Sequence, residues 1–328
     1  MSAKQALKSL VQAAAAQVAP VGWRLRRSAS LLVLMYHRVL PADHPDLEFE
    51  EPGMFVSPQT LRMHLGILKR EFELVHLDDW LAEAGSGRKM PRRACAITFD
   101  DGWRDNYQYA YPLLRETGAP ATIYLVSDLI GTCYSFWPNR LSRLLRGGHE
   151  EVLMPLLRER LSATTAGDSN DVLIAKCKAS CSDAEMNQLL DVAERSIGTA
   201  ASIERDLMDW EEIREMAGSG LVRFGSHTRR HTRLRVDVSV DSLRDEIAGS
   251  QQLLAENLGA PPRTFCYPNG DHSPEAVAMV RERYLGAVTT QRGWNSPASD
   301  RWLLQRVGVH EDVSKTANQF VSRLAGIG

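Results

Sequence analysis

The sequence predicts an α/β fold in which parallel strands alternate with helices, and three observations support it. Short, continuous apolar runs such as residues 31–35 and 94–99 are typical of strands that are buried on both faces. Segments with apolar residues at helical spacing separate these runs, which is the pattern of a parallel sheet connected by helices. Between about residues 132 and 217 the strand signals stop and helical spacing continues, which predicts a helical insertion.

The elements before the insertion follow from apolar runs and capping residues. We predict strands at residues 31–35, 73–76, 94–99 and 121–126, and helices at 57–72, from 78 or 79 onward, and at 106–117. Ser57 has the side chain of an N-cap, and Pro58 suits the first helical position. Gly118 is placed to end the third helix of this group.

The elements inside and after the insertion are predicted in the same way. Helical segments are expected at residues 141–145, 151–161 and 184–195, then a helix capped by Asp209 that runs to Met216, and further helices at 239–257 and 273–284. Strands are expected at residues 221–224, 264–267, 286–289 and 303–309. The resulting division is an N-terminal helical segment at residues 1–30 and one domain at residues 31–328, which contains the insertion.

Composition excludes some classes of protein. The 39 basic and 41 acidic residues give a formal charge of −2, so the chain has no electrostatic signature of a nucleic-acid-binding protein. Its five cysteines are scattered, which argues against a disulfide framework. The N-terminal segment makes a poor signal peptide, so we expect a cytoplasmic protein. Residues 6–18 and the basic residues after them form either a packing helix or a peripheral contact with the inner face of the membrane.

Two adjacent carboxylates follow one of the predicted buried strands. Residues 98–102 read Thr-Phe-Asp-Asp-Gly, so Asp100 and Asp101 lie where the apolar run ends. Neighbouring side chains point in different directions, and Gly102 permits a sharp turn, so one acid can bind a metal while the other faces a substrate. For an isolated Asp-Asp-Gly, capping of the following helix is the alternative interpretation.

Two histidines follow another predicted strand. His227 and His231 are four residues apart and would face the same way on one helical turn, the geometry in which two imidazoles bind one metal. One carboxylate and two imidazoles leave open positions for water and a substrate oxygen. A lone histidine is usually structural, but a pair at this spacing matched by a carboxylate pair favours a metal centre.

These two motifs are similar to those of the polysaccharide deacetylases with a NodB-homology domain, carbohydrate esterase family four. That family has a Thr-Phe-Asp-Asp-Gly motif and a His-(Ser/Thr)-X-X-His motif, and both are intact here, at residues 98–102 and 227–231. The resemblance extends from Leu31, in the opening segment that contains Met-Tyr-His-Arg-Val at residues 35–39, to about Glu311. It implies a distorted (β/α) barrel with an incomplete ring of strands, interrupted here by the helical insertion.

The resemblance also implies roles for individual residues. Asp100 would be the catalytic base, and Asp101, His227 and His231 would hold a divalent metal that activates water. Zinc is the first expectation, although the same ligands suit cobalt, nickel or iron. A histidine would protonate the leaving amine: His310, after the last predicted strand, is one candidate, and His37, after the first, is the other. Each has a hydrogen-bonding supporting role as its alternative.

The third motif of the family departs from the usual Arg-X-Pro-X-Gly. Residues 265–270 read Phe-Cys-Tyr-Pro-Asn-Gly, so Pro268 and Gly270 are kept and the arginine that orients the catalytic aspartate is missing. Arg306 either takes over that role or forms a surface salt bridge. By family analogy this motif forms one wall of the groove, with a backbone N–H near Tyr267 facing the developing oxyanion.

The function implied is removal of N-acetyl groups from an N-acetylhexosamine-containing glycan or glycan precursor, with release of acetate. The absence of a convincing export signal favours a precursor over mature polymer. Trp103, Trp137 and Trp294 are candidates for stacking on sugar faces. The alternatives are a hydrolase of the same fold that cleaves an O-acetyl ester or a cyclic amide, and a non-catalytic glycan-binding protein. The sequence leaves the oligomeric state open.

Overall fold

The architecture was obtained from a computed structural model, which describes residues 3–25, 28–84, 86, 88–161, 168–198 and 205–327, with side chains from residue 7 onward. The strands are β1 Leu31–Tyr36, β2 Arg38–Val39, β3 Phe55–Val56, β4 Glu73–Leu74, β5 Ala94–Phe99, β6 Ala121–Leu125, β7 Val222–Ser226, β8 Thr264–Cys266, β9 Gly286–Arg292 and β10 Leu304–Gly308. The two arginines at positions 26 and 27, part of the predicted basic N-terminal segment, lie outside the described residues.

The helices surround these strands. They are α1 Ala3–Arg24, α2 Pro58–Glu71, α3 Leu77–Ala84, α4 Tyr111–Thr117, α5 Trp137–Arg146, α6 Glu150–Arg160, α7 Asn170–Ser180, α8 Asp183–Ile197, α9 Trp210–Gly218, α10 Val240–Arg244, α11 Ser250–Leu258, α12 Pro274–Arg283, α13 Glu311–Ser314 and α14 Ala317–Leu324. Two of the predicted helices contain a π-helical turn, at Asn106–Ala110 and Asp245–Gly249. The short helices α13 and α14 were not predicted.

Seven parallel strands form a barrel in the described part of the chain. The order is β1, β10, β9, β8, β7, β6 and β5, and β1 also pairs with β5, so the ring closes. The predicted distorted (β/α) barrel is therefore confirmed. The expected incomplete ring of strands is wrong, because the seven strands form a closed ring. Every residue of β1 and β5 except Met35 is buried, which is why both strands appear in the sequence as apolar runs, broken only by Thr98 in β5.

Capping residues define several helix ends as predicted. The Ser57 hydroxyl accepts a hydrogen bond from the backbone N–H of Thr60, and Pro58 occupies the first turn of α2. Asp209 caps α9 with a capping box completed by Glu212. These capping residues mark the helix starts in the sequence.

The helical insertion has its own apolar core. Side chains from α5, α6, α7 and α8, among them Leu141, Leu153 and Leu190, form a buried cluster separate from the main core. Helix α9 differs, because Ile213 and Met216 belong to the main core beside the barrel strands. The helices that depart from the barrel are therefore α5 to α8.

Candidate active site

The carboxyl ends of the barrel strands bring the predicted residues together. His37 follows β1, Asp100 and Asp101 follow β5, and His227 follows β7. Because all strands of a parallel barrel point the same way, the residues after them meet at one face. The strand register shows that β1 and β5 end at the same level, because Tyr36 pairs with Phe99 at their carboxyl ends.

The turn after β5 separates the two carboxylates. Asp101 and Gly102 both have left-handed backbone angles, with φ of 77° and 82°. A Cβ on Gly102 would lie 2.9 Å from a side-chain carbon of Leu125, so this position requires glycine. Strain at Asp101 is typical of functional sites, and here it turns the Asp101 side chain toward the histidines.

Asp101, His227 and His231 form a compact cluster of potential metal ligands, with ligand atoms within 4.8 Å of one another. Asp101 Oδ1 lies 3.3 Å from His227 Nε2 and 3.5 Å from His231 Nε2. The predicted helical turn is absent, since residues 228–230 form a turn in which Thr228 and His231 have positive φ. The turn still brings the two imidazole rings to a centroid separation of 5.0 Å.

Neighbouring groups orient each of these three side chains. His227 Nδ1 lies 2.8 Å from the carbonyl oxygen of Cys266, so an N–H there donates to that carbonyl and leaves Nε2 as the free lone pair. The indole of Trp103 donates to Asp101 Oδ2 over 2.9 Å, which leaves Oδ1 facing the histidines. Such fixed orientation is what a catalytic metal centre requires of its ligands.

The third oriented ligand depends on the insertion. His231 Nδ1 lies 3.5 Å from Asp183 Oδ2, an ion-pair distance, and Asp183 is the first residue of α8. The indole of Trp137 in α5 donates to the other oxygen of Asp183 over 2.8 Å. A carboxylate behind a ligating histidine is a recurring feature of metal sites, and no sequence signal near His231 pointed to Asp183.

These three residues fit a divalent metal such as zinc, because two neutral nitrogens and one carboxylate oxygen converge and leave positions open. A second cluster, Asp100 with His227 and Cys266, also has metal-binding atom types. It fits less well, because burial raises the pKa of the Cys266 thiol well above its usual value, and a thiol binds metal as its thiolate. Both oxygens of Asp100 are already bonded to Arg306.

Arg306 holds Asp100 in a buried bidentate ion pair. Arg306 Nη1 and Nη2 each lie 2.7 Å from an Asp100 oxygen, and both side chains are almost fully buried. Burial alone would raise the pKa of Asp100, but the charge and hydrogen bonds of Arg306 outweigh it and lower that pKa. The alternative of a surface salt bridge is therefore wrong, and Arg306 contacts Asp100 as expected of a residue that replaces the missing arginine of the third motif.

The two candidate acid histidines lie in different surroundings. His37 Nε2 is 3.8 Å from Asp100 Oδ2, and His37 lines the cavity above Asp100 and Asp101. His310 instead has its Nδ1 3.1 Å from Asp312 Oδ2 and lies outside the residues lining that cavity. The geometry therefore favours His37 over His310 as the group nearest the reacting atoms.

The third motif does not present Tyr267 or Pro268 to the cavity. Tyr267 is fully buried, and its N–H donates to Val288 in β9, so neither group is directed at a substrate. Pro268 is buried as well. A Cβ on Gly270 would lie 2.2 Å from Thr290 Oγ1, so glycine lets the motif pack against Thr290. The cavity wall here consists of Thr290 and Asn269, neither of which was predicted.

The predicted stacking tryptophans have other roles. Trp103 is 1% exposed and bonded to Asp101, so its ring faces are unavailable to a sugar. Trp137 is buried and bonded to Asp183. Trp294 donates to the carbonyl of Leu324 and contacts Trp23 instead of the site. Large aromatic residues carry the same sequence signal whether they pack or bind.

Arg38 of the Tyr-His-Arg-Val segment supports the site from below. Its guanidinium bonds to Asp46, Glu50 and Asp105, all within 2.9 Å, and lies 4.2 Å above the Trp103 ring. This buried network holds the loop after β1 against the indole that orients Asp101. The sequence showed the motif but not its partners.

A cavity of about 250 Å³ lies over the cluster. Its lining combines the four motif residues with side chains from the barrel loops and the insertion, including His37, Glu51, Asn139, Lys178, Asp183, Arg233, Asn269 and Thr290. A larger cavity of about 870 Å³ lies between the insertion and the barrel, but it contains none of the cluster residues. The smaller cavity is therefore the candidate active-site cavity.

Several known proteins resemble this chain in sequence or in structure. A Bacillus subtilis protein with a provisional polysaccharide deacetylase name, YxkH, is 29% identical over 129 residues, which cover 38% of this chain and 42% of that protein. The deacetylase PplD of Streptococcus pyogenes, solved with acetate, has a TM-score of 0.60 at 19% identity, covering 90% of this chain and 99% of PplD. IcaB from Ammonifex degensii has a TM-score of 0.59 at 20% identity, covering 90% and 97%.

These structural likenesses establish the fold. The family assignment comes from the sequence profile described as polysaccharide deacetylase, which matches residues 87–152 and 185–286, just over half of the chain. The matched segments include both carboxylates after β5 and both histidines after β7. The chain belongs to the polysaccharide deacetylase family.

Proposed function

We propose that the protein is a metal-dependent N-deacetylase that acts on an N-acetylhexosamine unit and releases acetate. The observation that carries this proposal is the juxtaposition of the Asp101–His227–His231 cluster with a separate carboxylate, Asp100, whose pKa is lowered by Arg306. A family of known deacetylases and a structural neighbour solved with acetate support the same chemistry.

The three cluster residues would hold the metal, which when bound polarises the acetyl carbonyl and lowers the pKa of water. Asp100, ionised because of Arg306, accepts the proton of the attacking water. As the C–N bond breaks, the leaving nitrogen takes a proton from His37, which lies beside Asp100. The products are acetate and a free amino sugar. The reaction leaves a proton on Asp100 and removes one from His37, and proton exchange with solvent restores both residues.

The cavity favours a small substrate. A volume of about 250 Å³ lies below the usual range of about 300–1,000 Å³ for drug-sized ligands, which suits one sugar residue better than several. Its lining is largely apolar but includes an ion pair between Lys178 of the insertion and Glu51 of a barrel loop. We therefore propose a glycan precursor with a single N-acetylhexosamine at the site, processed in the cytoplasm or at the inner face of the membrane.

Acetate release from metal-stripped protein, re-loaded with zinc or cobalt, tests the proposal. The substrates are N-acetylated monosaccharides, precursors and oligomers. We expect metal-dependent release that is abolished by Asp100→Asn and by His227→Ala. The matched controls Asp79→Asn and His149→Ala change the same residue types outside the site and should retain full activity.

The other outcomes distinguish the alternatives. If the metal binds at these residues but no N-acetyl substrate reacts, the same protein is assayed with O-acetyl esters and cyclic amides, and turnover there would replace the proposed reaction. Binding of sugars without turnover of any substrate would indicate a non-catalytic glycan-binding protein. Release of acetate that survives loss of His227 would contradict the assigned metal site.

A further inference from the structure

Helix α1 exposes a continuous apolar stripe. Its outward side chains are Leu7, Leu10, Val11, Val18, Val21 and Leu25, which are 47–72% exposed. At about 100° per residue they fall within one sector of about 100° of the helix. Among the described residues they make up six of the eleven large apolar side chains that are exposed, so the exposure is concentrated on this helix.

The opposite face of α1 packs against the rest of the protein, so the exposed stripe is not the face that α1 buries. Trp23 is 4% exposed and contacts Phe72 and Trp294, with ring centroids 5.1 and 6.1 Å away. The hydroxyl of Ser322 in α14 donates to the carbonyl of Gln12. Packing on the barrel therefore leaves the stripe facing outward along the length of the helix.

The charge around the stripe has one sign. Residues 1–42 contain no Asp or Glu, while Lys4, Lys8, Arg24 and the two arginines at positions 26 and 27 carry positive charge. Lys8 is exposed beside the stripe. Arg24 is paired with Glu71 of α2, so part of the positive charge is neutralised.

The exposed apolar stripe and the positive charge near it together favour one kind of partner. A second copy of α1 packed on the stripe would bring only like charges together, with none of the opposite charges that flank natural coiled-coil seams. Insertion across a bilayer is also disfavoured, because none of the helices in the described residues has the length and hydropathy needed to span a membrane. An apolar face bordered by basic residues fits a helix that lies in the plane of an anionic lipid surface.

We propose that α1 docks this protein on anionic lipid membranes through the stripe formed by Leu7, Leu10, Val11, Val18, Val21 and Leu25. The inference rests on exposure and charge alone, so it stands independently of the reaction proposed for the barrel.

Vesicle co-sedimentation of the full chain tests the docking. The vesicles contain phosphatidylcholine with about one third phosphatidylglycerol, or phosphatidylcholine alone, because the basic residues require an anionic surface. We expect binding to the anionic vesicles that weakens at high salt. The variant Leu10→Gln/Val18→Gln should bind more than about tenfold more weakly, since two exposed anchors lose their contact with the lipid.

The control is Val236→Gln, which changes an 82% exposed valine outside α1 and should leave vesicle binding unchanged. Circular dichroism of all variants checks folding, and both substituted α1 positions are exposed, so the fold is expected to persist. Equal sedimentation of wild type and the α1 variant would overturn the proposal. So would self-association of the wild type that the α1 substitutions abolish, because the stripe would then be an interface between copies.

Discussion

The Arg306→Gln variant tests how the barrel keeps the carboxylate of Asp100 ionised. In the wild type, Arg306 makes two 2.7 Å bonds to Asp100 and a third to the hydroxyl of Thr98, all out of contact with water. Glutamine keeps an amide at this position but removes the charge. Removing one partner of a buried ion pair costs about 3–5 kcal/mol, because the other charge is left uncompensated.

The direction of the Asp100 pKa shift determines how the stability of each form should depend on pH. In the wild type the pKa of Asp100 lies below its unfolded value of about 3.9, so the pair stabilises the protein above that pH and its contribution is lost only as the pH falls through the lowered value. In Arg306→Gln, only His37 and His227 still oppose the effect of burial, so that pKa rises. The ionised carboxylate then destabilises the variant at neutral pH, and protonation relieves this as the pH falls.

Urea unfolding of chelator-treated protein at pH 7.5 and pH 5 measures the difference. We expect a deficit of about 3–5 kcal/mol at the higher pH that shrinks at the lower one. The double variant Asp100→Asn/Arg306→Gln should be more stable at neutral pH than Arg306→Gln alone. Arg244→Gln, which breaks an exposed 2.8 Å pair with Asp241, is the control and should cost less than about 1 kcal/mol.

Two results would refute the reasoning. A deficit that is the same at both pH values would show that Arg306 acts through packing instead of through the charge of Asp100. Additive effects of Asp100→Asn and Arg306→Gln would show that the two side chains are energetically independent. In activity assays Arg306→Gln should also lower kcat/KM by about 10²–10⁴-fold, because the base is no longer ionised and positioned.

Three further predictions concern neighbouring residues. Trp103→Phe removes the indole N–H bonded to Asp101 and should weaken zinc affinity by about 10–100-fold in calorimetric titrations, with little change in folding. Gly270→Ala, at φ 79° and against Thr290, should destabilise the protein by about 1–3 kcal/mol, measured by thermal unfolding. His37→Gln should reduce kcat by about 10²–10⁴-fold, whereas His310→Gln should have a much smaller effect, and the reverse order would reassign the general acid.

Elements with unbroken local signals could be predicted from the sequence. Strand β5 was located to the residue because all six of its side chains are buried, and α2 because Ser57 caps it. Closure of the ring could not be predicted, because it depends on hydrogen bonds between β1 and β5, which are far apart in the chain. Helix α14 was missed although Thr316 and Gln319 form a capping box, a signal that was available in the sequence.

Site residues that lie in short motifs could likewise be predicted from the sequence, whereas roles that depend on tertiary contacts could not. Asp100, Asp101, His227 and His231 lie in short motifs at strand ends, and the structure brings all four together. The roles of the tryptophans could not be read from the sequence, because a buried indole that donates a hydrogen bond has the same local pattern as an exposed stacking ring. The geometry at His231 was predicted as helical, yet a turn with positive φ delivers the same imidazole.

The insertion is the part of the molecule where function depends most on tertiary structure. Helix α8 supplies Asp183 behind His231, and Lys178 and Asn139 of the insertion line the cavity opposite the barrel loops. Asn139 also donates to Glu50, which binds the Arg38 guanidinium stacked on Trp103, so the insertion is connected to two of the three candidate metal ligands, Asp101 and His231. A segment that carries no catalytic motif therefore completes the cavity, and changes in its packing would alter both the orientation of these side chains and the space available to a substrate.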